Sequence, residues 1–134
     1  MTIVVGYVPR PEGRAALRRA VAEAALRRED LLVVNASRGD SYADVGFAPE
    51  EDLAAVRAEL DETGLRYEVR QLVGGTDPAN EVIDAAAETG AALIVIGIRR
   101  RTAVGNLIMG STSQRILLEA NCPVLAVKAD QVPV

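Results

Sequence analysis

The chain has 134 residues, of which 49% are hydrophobic and 25% are charged, and its formal net charge is −4. This balance favours a single domain with one core and excludes a disordered or fibrous chain. The absence of histidine excludes a histidine-based triad, a histidine general base and a histidine-containing metal site. The acidic charge argues against nucleic acid as a partner, because phosphate contacts need a basic face.

Other residue types narrow the compartment and the chemistry. One cysteine, Cys122, excludes an internal disulfide and predicts a reducing, cytoplasmic location. No apolar run approaches the roughly 20 residues that span a bilayer, and no signal-peptide pattern is present, so we expect no membrane partner. The only lysine is Lys128, so a P-loop lysine is missing. Acidic residues lie mostly at helical spacing from arginines, as on a solvated face, and we expect no protein-bound metal.

Hydrophobic periodicity and the positions of Gly and Pro predict the element order βαβαβαβαβ. The predicted strands are 2–7, 31–35, 66–73, 92–96 and 123–128. The predicted helices are 14–28, one from Pro49 to Gly64, one from Asp77 and Pro78 to about Gly90, and one from Gly110 and Ser111. Each of the first two helices is expected to bury an apolar stripe. In the first helix the stripe is Leu17, Val21, Ala25 and Leu26, and in the second it is Leu53, Val56 and Leu60.

This order predicts a single-domain α/β fold at 1–128, with a C-terminal tail at 129–134. It is a doubly wound, Rossmann-like parallel sheet of five strands with helices on both faces. Strand three alternates polar and apolar residues like an edge, whereas strands one, two and four are continuously apolar, so we predict the order 3-2-1-4-5. Ligands bind where the chain direction switches, here between strands one and four, at loops 8–12 and 98–110.

The junction of Gly110 and Ser111 has features of an anion site. A glycine beside a helix N-terminus lets a ligand approach bare N–H groups, where the helix dipole favours an anion. The spacing of Ser111 and Gln114 is that of a capping box, so an ordinary capped junction is the alternative. Three arginines precede this junction in the loop, namely Arg99, Arg100 and Arg101. They are either phosphate ligands or a solvated basic segment.

The segment 97–111 and its flanks resemble the universal stress protein family over essentially the whole chain. Gly97, Gly110 and Ser111 match the family's glycine signature, whereas Arg100 stands where its second glycine belongs. The flanks VIG, GSTSQRIL and CPVLAV also match. The resemblance implies a non-catalytic domain with a stress-response or regulatory role. It also implies ATP or another adenine nucleotide as ligand, with Mg²⁺ as the counter-ion of the nucleotide.

The resemblance also assigns nucleotide-binding positions. They are Val8, Pro9, Arg10, Asn35, Ala36, Ile96, Gly97, Arg99, Arg100, Gly110, Ser111 and Thr112. Val8, Pro9 and Arg10 align with the family's Asp-Gly-Ser, so the acid that helps to hold the nucleoside is absent. Arg100 either blocks the groove or clamps phosphate. Asn35 and Ala36 lie where backbone meets adenine in the family, or they simply end a strand.

Strand five predicts a homodimer. Its residues Val124, Leu125, Ala126 and Val127 carry no charge before Lys128, so a free edge would invite aggregation, and a second copy would cover it symmetrically. The resemblance implies the same dimer, and a tail folded over the edge is the alternative.

Two other functions compete with nucleotide binding. In the first, the protein has the same fold but does not bind ATP, and it acts through dimerisation or partner proteins. The other is a hydrolase or phosphotransferase. The missing His, P-loop Lys and paired-carboxylate metal site all disfavour it, while weak ATP hydrolysis stays open.

Overall fold

The computed structural model describes residues 1–37, 46–74, 77–99 and 110–129. Strands and helices alternate there in the predicted order. The strands are β1 (Thr2–Gly6), β2 (Asp30–Ser37), β3 (Tyr67–Val73), β4 (Ala91–Ile98) and β5 (Val124–Lys128). The helices are α1 (Pro11–Arg27), α2 (Glu50–Asp61), α3 (Pro78–Thr89) and α4 (Ser111–Glu119). The predicted tail lies outside the described residues from 130 onward.

The strands form one parallel sheet in the order β3-β2-β1-β4-β5, which confirms the predicted topology. The central strand β1 pairs with β2 and with β4, and Gly6 stands beside both Val34 and Ile96. The carboxyl ends of these three strands therefore lie side by side. This is the switch point at which ligands bind in sheets of this type.

Successive residues of each strand face opposite sides of the sheet, which produces two cores. One core lies under α1 and α2 and includes Ile3, Val5 and Val95. The other lies under α3 and α4 and includes Val4 and Ile94. Because both faces are covered, the central strands are largely apolar, as predicted, with Asn35 and Ser37 of β2 as buried polar exceptions. The predicted stripe of α2 is confirmed, since Leu53, Val56 and Leu60 are all buried.

Two features of α1 differ from the prediction. The helix begins at Pro11, a residue that suits the first helical position because its missing N–H is not needed there. The predicted Leu17 and Val21 do pack in the core, together with three alanines that the prediction missed, namely Ala16, Ala20 and Ala24. These alanines let helix and sheet lie close together. Ala25 and Leu26 are exposed, Leu26 by 80%.

The start of α3 matches its predicted cap. The Asp77 carboxylate accepts a hydrogen bond from the backbone N–H of Ala79 at 2.9 Å, and Pro78 follows it. The helix ends at Gly90, whose φ of 61° is a left-handed conformation that glycine adopts without strain. Among the helices that the structure describes, none has the length and apolar character needed to cross a membrane.

Candidate ligand-binding site

A pocket of about 270 Å³ opens at the carboxyl ends of β1, β2 and β4. Eight of the twelve predicted site residues line it: Val8, Arg10, Ala36, Ile96, Gly97, Arg99, Gly110 and Thr112. Pro9, Asn35 and Ser111 are not among its lining residues, and Arg100 lies outside the described residues. The described ends of the two loops expected from the topology, including the helix junction expected from the glycine pattern, thus line one pocket.

On one side of the pocket, α1 packs directly on the end of β4. A Cβ atom on Gly97 would lie 2.1 Å from the backbone oxygen of Glu12. A Cβ atom on Gly13 would lie 1.9 Å from the backbone oxygen of Val8. Only glycine fits at either position, because distances this short exclude any side chain. In this chain Gly97 therefore serves the contact between α1 and β4.

Glu12 is a pocket residue that the sequence prediction missed. It lies in the first turn of α1, where the helix dipole favours a carboxylate. Its side chain is only 10% exposed, and its Oε2 lies 3.0 Å from Nε of Arg10 and 3.8 Å from Nε of Arg99. A helix start placed at Pro11 would have identified Glu12 as a first-turn acid beside the predicted switch point.

On the opposite side, α4 begins without a side-chain cap. The N-cap residue is Gly110, with extended backbone, and Ser111 is already helical, so the predicted capping box is wrong. The N–H of Gln114 donates instead to the backbone oxygen of Gly110 at 3.0 Å. A Cβ atom on Gly110 would meet no atom of the described residues within 4 Å, and Gly110 is exposed. The helix N-terminus is therefore open to the pocket.

Asn35 lies beneath the pocket wall, fully buried. Its Nδ2 donates to the backbone oxygens of Tyr7 and Gly46, at 2.9 and 2.7 Å. Its Oδ1 accepts from the N–H of Ala48 at 3.1 Å and from Nε2 of Gln71 at 2.9 Å. Gly46 lines the pocket, so the Asn35 amide positions that part of the wall. An amide inside an apolar strand is the sequence signal for such a role.

Tyr7 connects the same wall to α2. Its hydroxyl donates to Oδ2 of Asp52 at 2.6 Å, and Arg14 pairs with Oδ1 of Asp52 at 3.4 Å. Burial and the hydrogen bond to Asp52 raise the pKa of the Tyr7 phenol well above its ordinary range. The phenol is therefore a neutral donor throughout the physiological pH range.

The β2 side of the pocket combines apolar surface with one unpartnered hydroxyl. Val34 and Ala36 line this side, and Ser37 follows them. Ser37 is 3% exposed, and its Oγ has no hydrogen-bond partner among the described residues. A buried polar atom without a partner in a pocket wall is a position that a ligand or a water can satisfy.

The two ends of the pocket differ in chemistry. At the β4 end of the pocket lie Arg10, Arg99 and Glu12, which leave a net charge of +1 among the described ionisable residues there. Ser37 ends β2, and β2 lies two strands from β4, a separation of about 10 Å. The pocket thus suits an elongated ligand with an anionic end and a largely apolar end that has hydrogen-bonding edges.

The described residues elsewhere offer little of comparable chemistry. They contain no group of three or more His, Cys, Asp or Glu side chains placed to hold a metal ion. Cys122 lies at the far end of the sheet beside a smaller cavity of about 190 Å³, lined largely by Ala and Ile side chains. Burial raises the pKa of the Cys122 thiol, which lowers its reactivity.

Comparison with known proteins gives consistent matches. The sequence model of the Universal stress protein family matches residues 1–128. A universal stress protein from Mycolicibacterium smegmatis is 48% identical over 126 residues, covering 94% of this chain and 96% of the relative. The universal stress protein from Archaeoglobus fulgidus in complex with dAMP superposes with a TM-score of 0.65 at 28% identity, covering 95% and 96%. A universal stress protein in complex with cAMP superposes with a TM-score of 0.73 at 26% identity, covering 95% and 96%.

Proposed function

Because the chain belongs to the universal stress protein family, as its sequence predicts, we propose that its pocket binds an adenine nucleotide. The observation that carries the proposal is the open N-terminus of α4, which lies in the same pocket as two arginines. Similar proteins with this fold are complexed with dAMP and cAMP. The role is stress-related sensing or regulation by a cytoplasmic domain that is not an enzyme, with Mg²⁺ only as the counter-ion of the nucleotide.

The chemistry of the pocket suggests an orientation for the nucleotide. Its phosphates lie against the backbone N–H groups that follow Gly110, near Thr112, with Arg99 and Arg10 opposite. The base then lies against Ala36 at the end of β2, while Ile96 and Gly97 form the floor between the two ends. Val8 offers no carboxylate at the end of β1.

Calorimetric titration with ATP, ADP, AMP and cAMP tests the proposal. We expect at least one of these nucleotides to bind with a dissociation constant below about 1 mM, which is about −4 kcal/mol of binding free energy. No binding of any of them at millimolar concentration contradicts the proposal. That result favours a protein of the same family that acts through dimerisation or partner proteins. The atypical residues Val8 and Arg100 at the motif positions support this alternative.

We also propose a homodimer through β5. Among the strands that the structure describes, β5 pairs only with β4 and is an edge of the sheet. The N–H of Ile94 donates to the backbone oxygen of Pro123. In a parallel pair this register directs the N–H groups of Val124 and Ala126 away from β4. Those groups are available to a second copy related by a two-fold axis.

Light scattering tests the dimer, and a monomeric mass at micromolar concentration contradicts it. Ala126→Pro removes one outward N–H and keeps the pairing of β5 with β4, as proline is tolerated at sheet edges. We expect this variant to be a folded monomer by light scattering and circular dichroism. If it stays dimeric, another surface makes the contact.

A further inference from the structure

We propose that Glu12 sets which nucleotide the pocket prefers, by making one phosphate more favourable than three. This inference rests on the proposed nucleotide binding and goes beyond it. Glu12 is a carboxylate in a pocket that is otherwise suited to anions, where it faces Arg10 and Arg99. A negative charge at this place opposes every additional negative charge of the ligand.

Packing keeps the carboxylate in place when a ligand enters. The backbone oxygen of Glu12 lies against Gly97, where a Cβ would be 2.1 Å away. Pro11 fixes the chain on one side of Glu12, and Gly13 packs against Val8 on the other. The side chain itself is only 10% exposed, so little water surrounds it. Its charge is therefore weakly screened and acts strongly on groups inside the pocket.

The carboxylate also pairs with the two arginines and so reduces the positive charge that they offer to a ligand. Nε of Arg10 lies 3.0 Å from Oε2 of Glu12, and Nε of Arg99 lies 3.8 Å from the same oxygen. The described ionisable residues of the pocket then have a net charge of +1. A monophosphate brings about two negative charges, which this charge and the N-terminus of α4 can balance. A triphosphate without its Mg²⁺ counter-ion brings more charge than the described groups balance.

Glu12→Gln tests the proposal, because glutamine has nearly the same shape as glutamate and lacks its charge. Affinities for AMP, ADP and ATP are measured by calorimetry at physiological ionic strength and without Mg²⁺, with and without the substitution. We expect the variant to gain affinity progressively along the series, by less than about threefold for AMP and by roughly tenfold or more for ATP. Added salt should reduce the gain for ATP.

Glu23→Gln is the matched control. It removes the same charge from the same helix, at a carboxylate that pairs with Arg19 and Arg27. The two sites lie about 16 Å apart along the helix, at ~1.5 Å per residue. This distance exceeds the screening length of about 8 Å at physiological ionic strength. The affinity ratios between AMP and ATP should therefore equal those of the unsubstituted protein.

The outcomes separate this inference from the proposed function. An equal change for all three nucleotides, or a loss of ATP affinity in Glu12→Gln, overturns the role of Glu12 and leaves nucleotide binding intact. If neither protein binds any nucleotide, both the inference and the proposed function are wrong. The unsubstituted protein gives a further test that needs no variant: ATP binding more than tenfold tighter than AMP binding overturns the inference.

Discussion

Three helices begin at the pocket, and the N-termini of two of them, α1 and α4, are treated in opposite ways. The N-terminus of α1 carries its own carboxylate, Glu12, and is in direct backbone contact with β4 at Gly97. The N-terminus of α4 has no acid in its first turn, and a Cβ atom on Gly110 would have no neighbour within 4 Å in the described part of the chain. Both helix dipoles favour an anion. The protein supplies that anion for α1 and leaves α4 available to a ligand.

The largest expected effect concerns the side of the pocket where α1 packs on β4, which we call the closed side. The side at the N-terminus of α4 is the open side. Gly97→Ala places a Cβ atom 2.1 Å from a backbone oxygen, which flexible side chains cannot relieve, so α1 must move away from β4. We expect the free energy of unfolding to fall by about 3 kcal/mol in chemical denaturation. Gly110→Ala is the matched control on the open side and should change it by about 0.5 kcal/mol at most. Equal losses in both variants would show that the two sides do not differ in packing.

The closed side also depends on Asn35, which holds the backbone oxygen of Tyr7 from below. Asn35→Ala leaves the backbone groups of Tyr7, Gly46 and Ala48 without this partner. We expect a loss of about 2 kcal/mol in the free energy of unfolding, measured by denaturation, because the groups left behind are buried. The exposed Asn121 is the control, and Asn121→Ala should be nearly neutral. A neutral Asn35→Ala would mean that water replaces the amide.

Most of the fold could be predicted from the sequence because it follows from periodicity. The apolar runs of the central strands and the alternation in β3 were sufficient for the strand order. The start of α4 at Gly110 could be predicted because a glycine before a helix is a local sequence pattern. The stripe of α1 was wrong at Ala25 and Leu26, because alanines at Ala16, Ala20 and Ala24 give a weak hydrophobic signal although they face the sheet.

The closed side of the site could not be predicted in the same way. The approach of Gly97 to Glu12 joins residues that are far apart in the chain, and only the packing of α1 on β4 brings them together. For the same reason the ion pair of Glu12 with Arg99 was not foreseen, whereas its pair with Arg10 is local and follows the start of α1 at Pro11. Asn35 was predicted as a binding residue, whereas it lies behind the lining of the pocket, and its partners Gly46 and Gln71 follow from the tertiary structure.

On the open side, Gly110→Val should reduce nucleotide affinity and leave the fold intact. The branched side chain obstructs the approach of phosphate to the N–H groups of α4. We expect at least a tenfold loss, which is about 1.4 kcal/mol of binding free energy, by calorimetry. Gln114→Ala is the control, since its exposed side chain lies on the same helix and does not line the pocket. Unchanged affinity in a folded Gly110→Val protein would place the phosphates elsewhere.

The smallest expected effect concerns the pocket wall at the end of β2, which has no charged side chain from α1 or α4. Ser37→Ala removes a buried hydroxyl that has no partner among the described residues. The free energy of unfolding should therefore stay equal or rise by about 0.5 kcal/mol, whereas loss of a bonded hydroxyl would lower it. Nucleotide affinity should fall about threefold, or ~0.6 kcal/mol, because the base loses a hydrogen bond. Inorganic tripolyphosphate has no base, so its affinity should be unchanged. A clear loss of stability would show that the protein itself uses the hydroxyl, and equal losses for both ligands would place Ser37 with the phosphates.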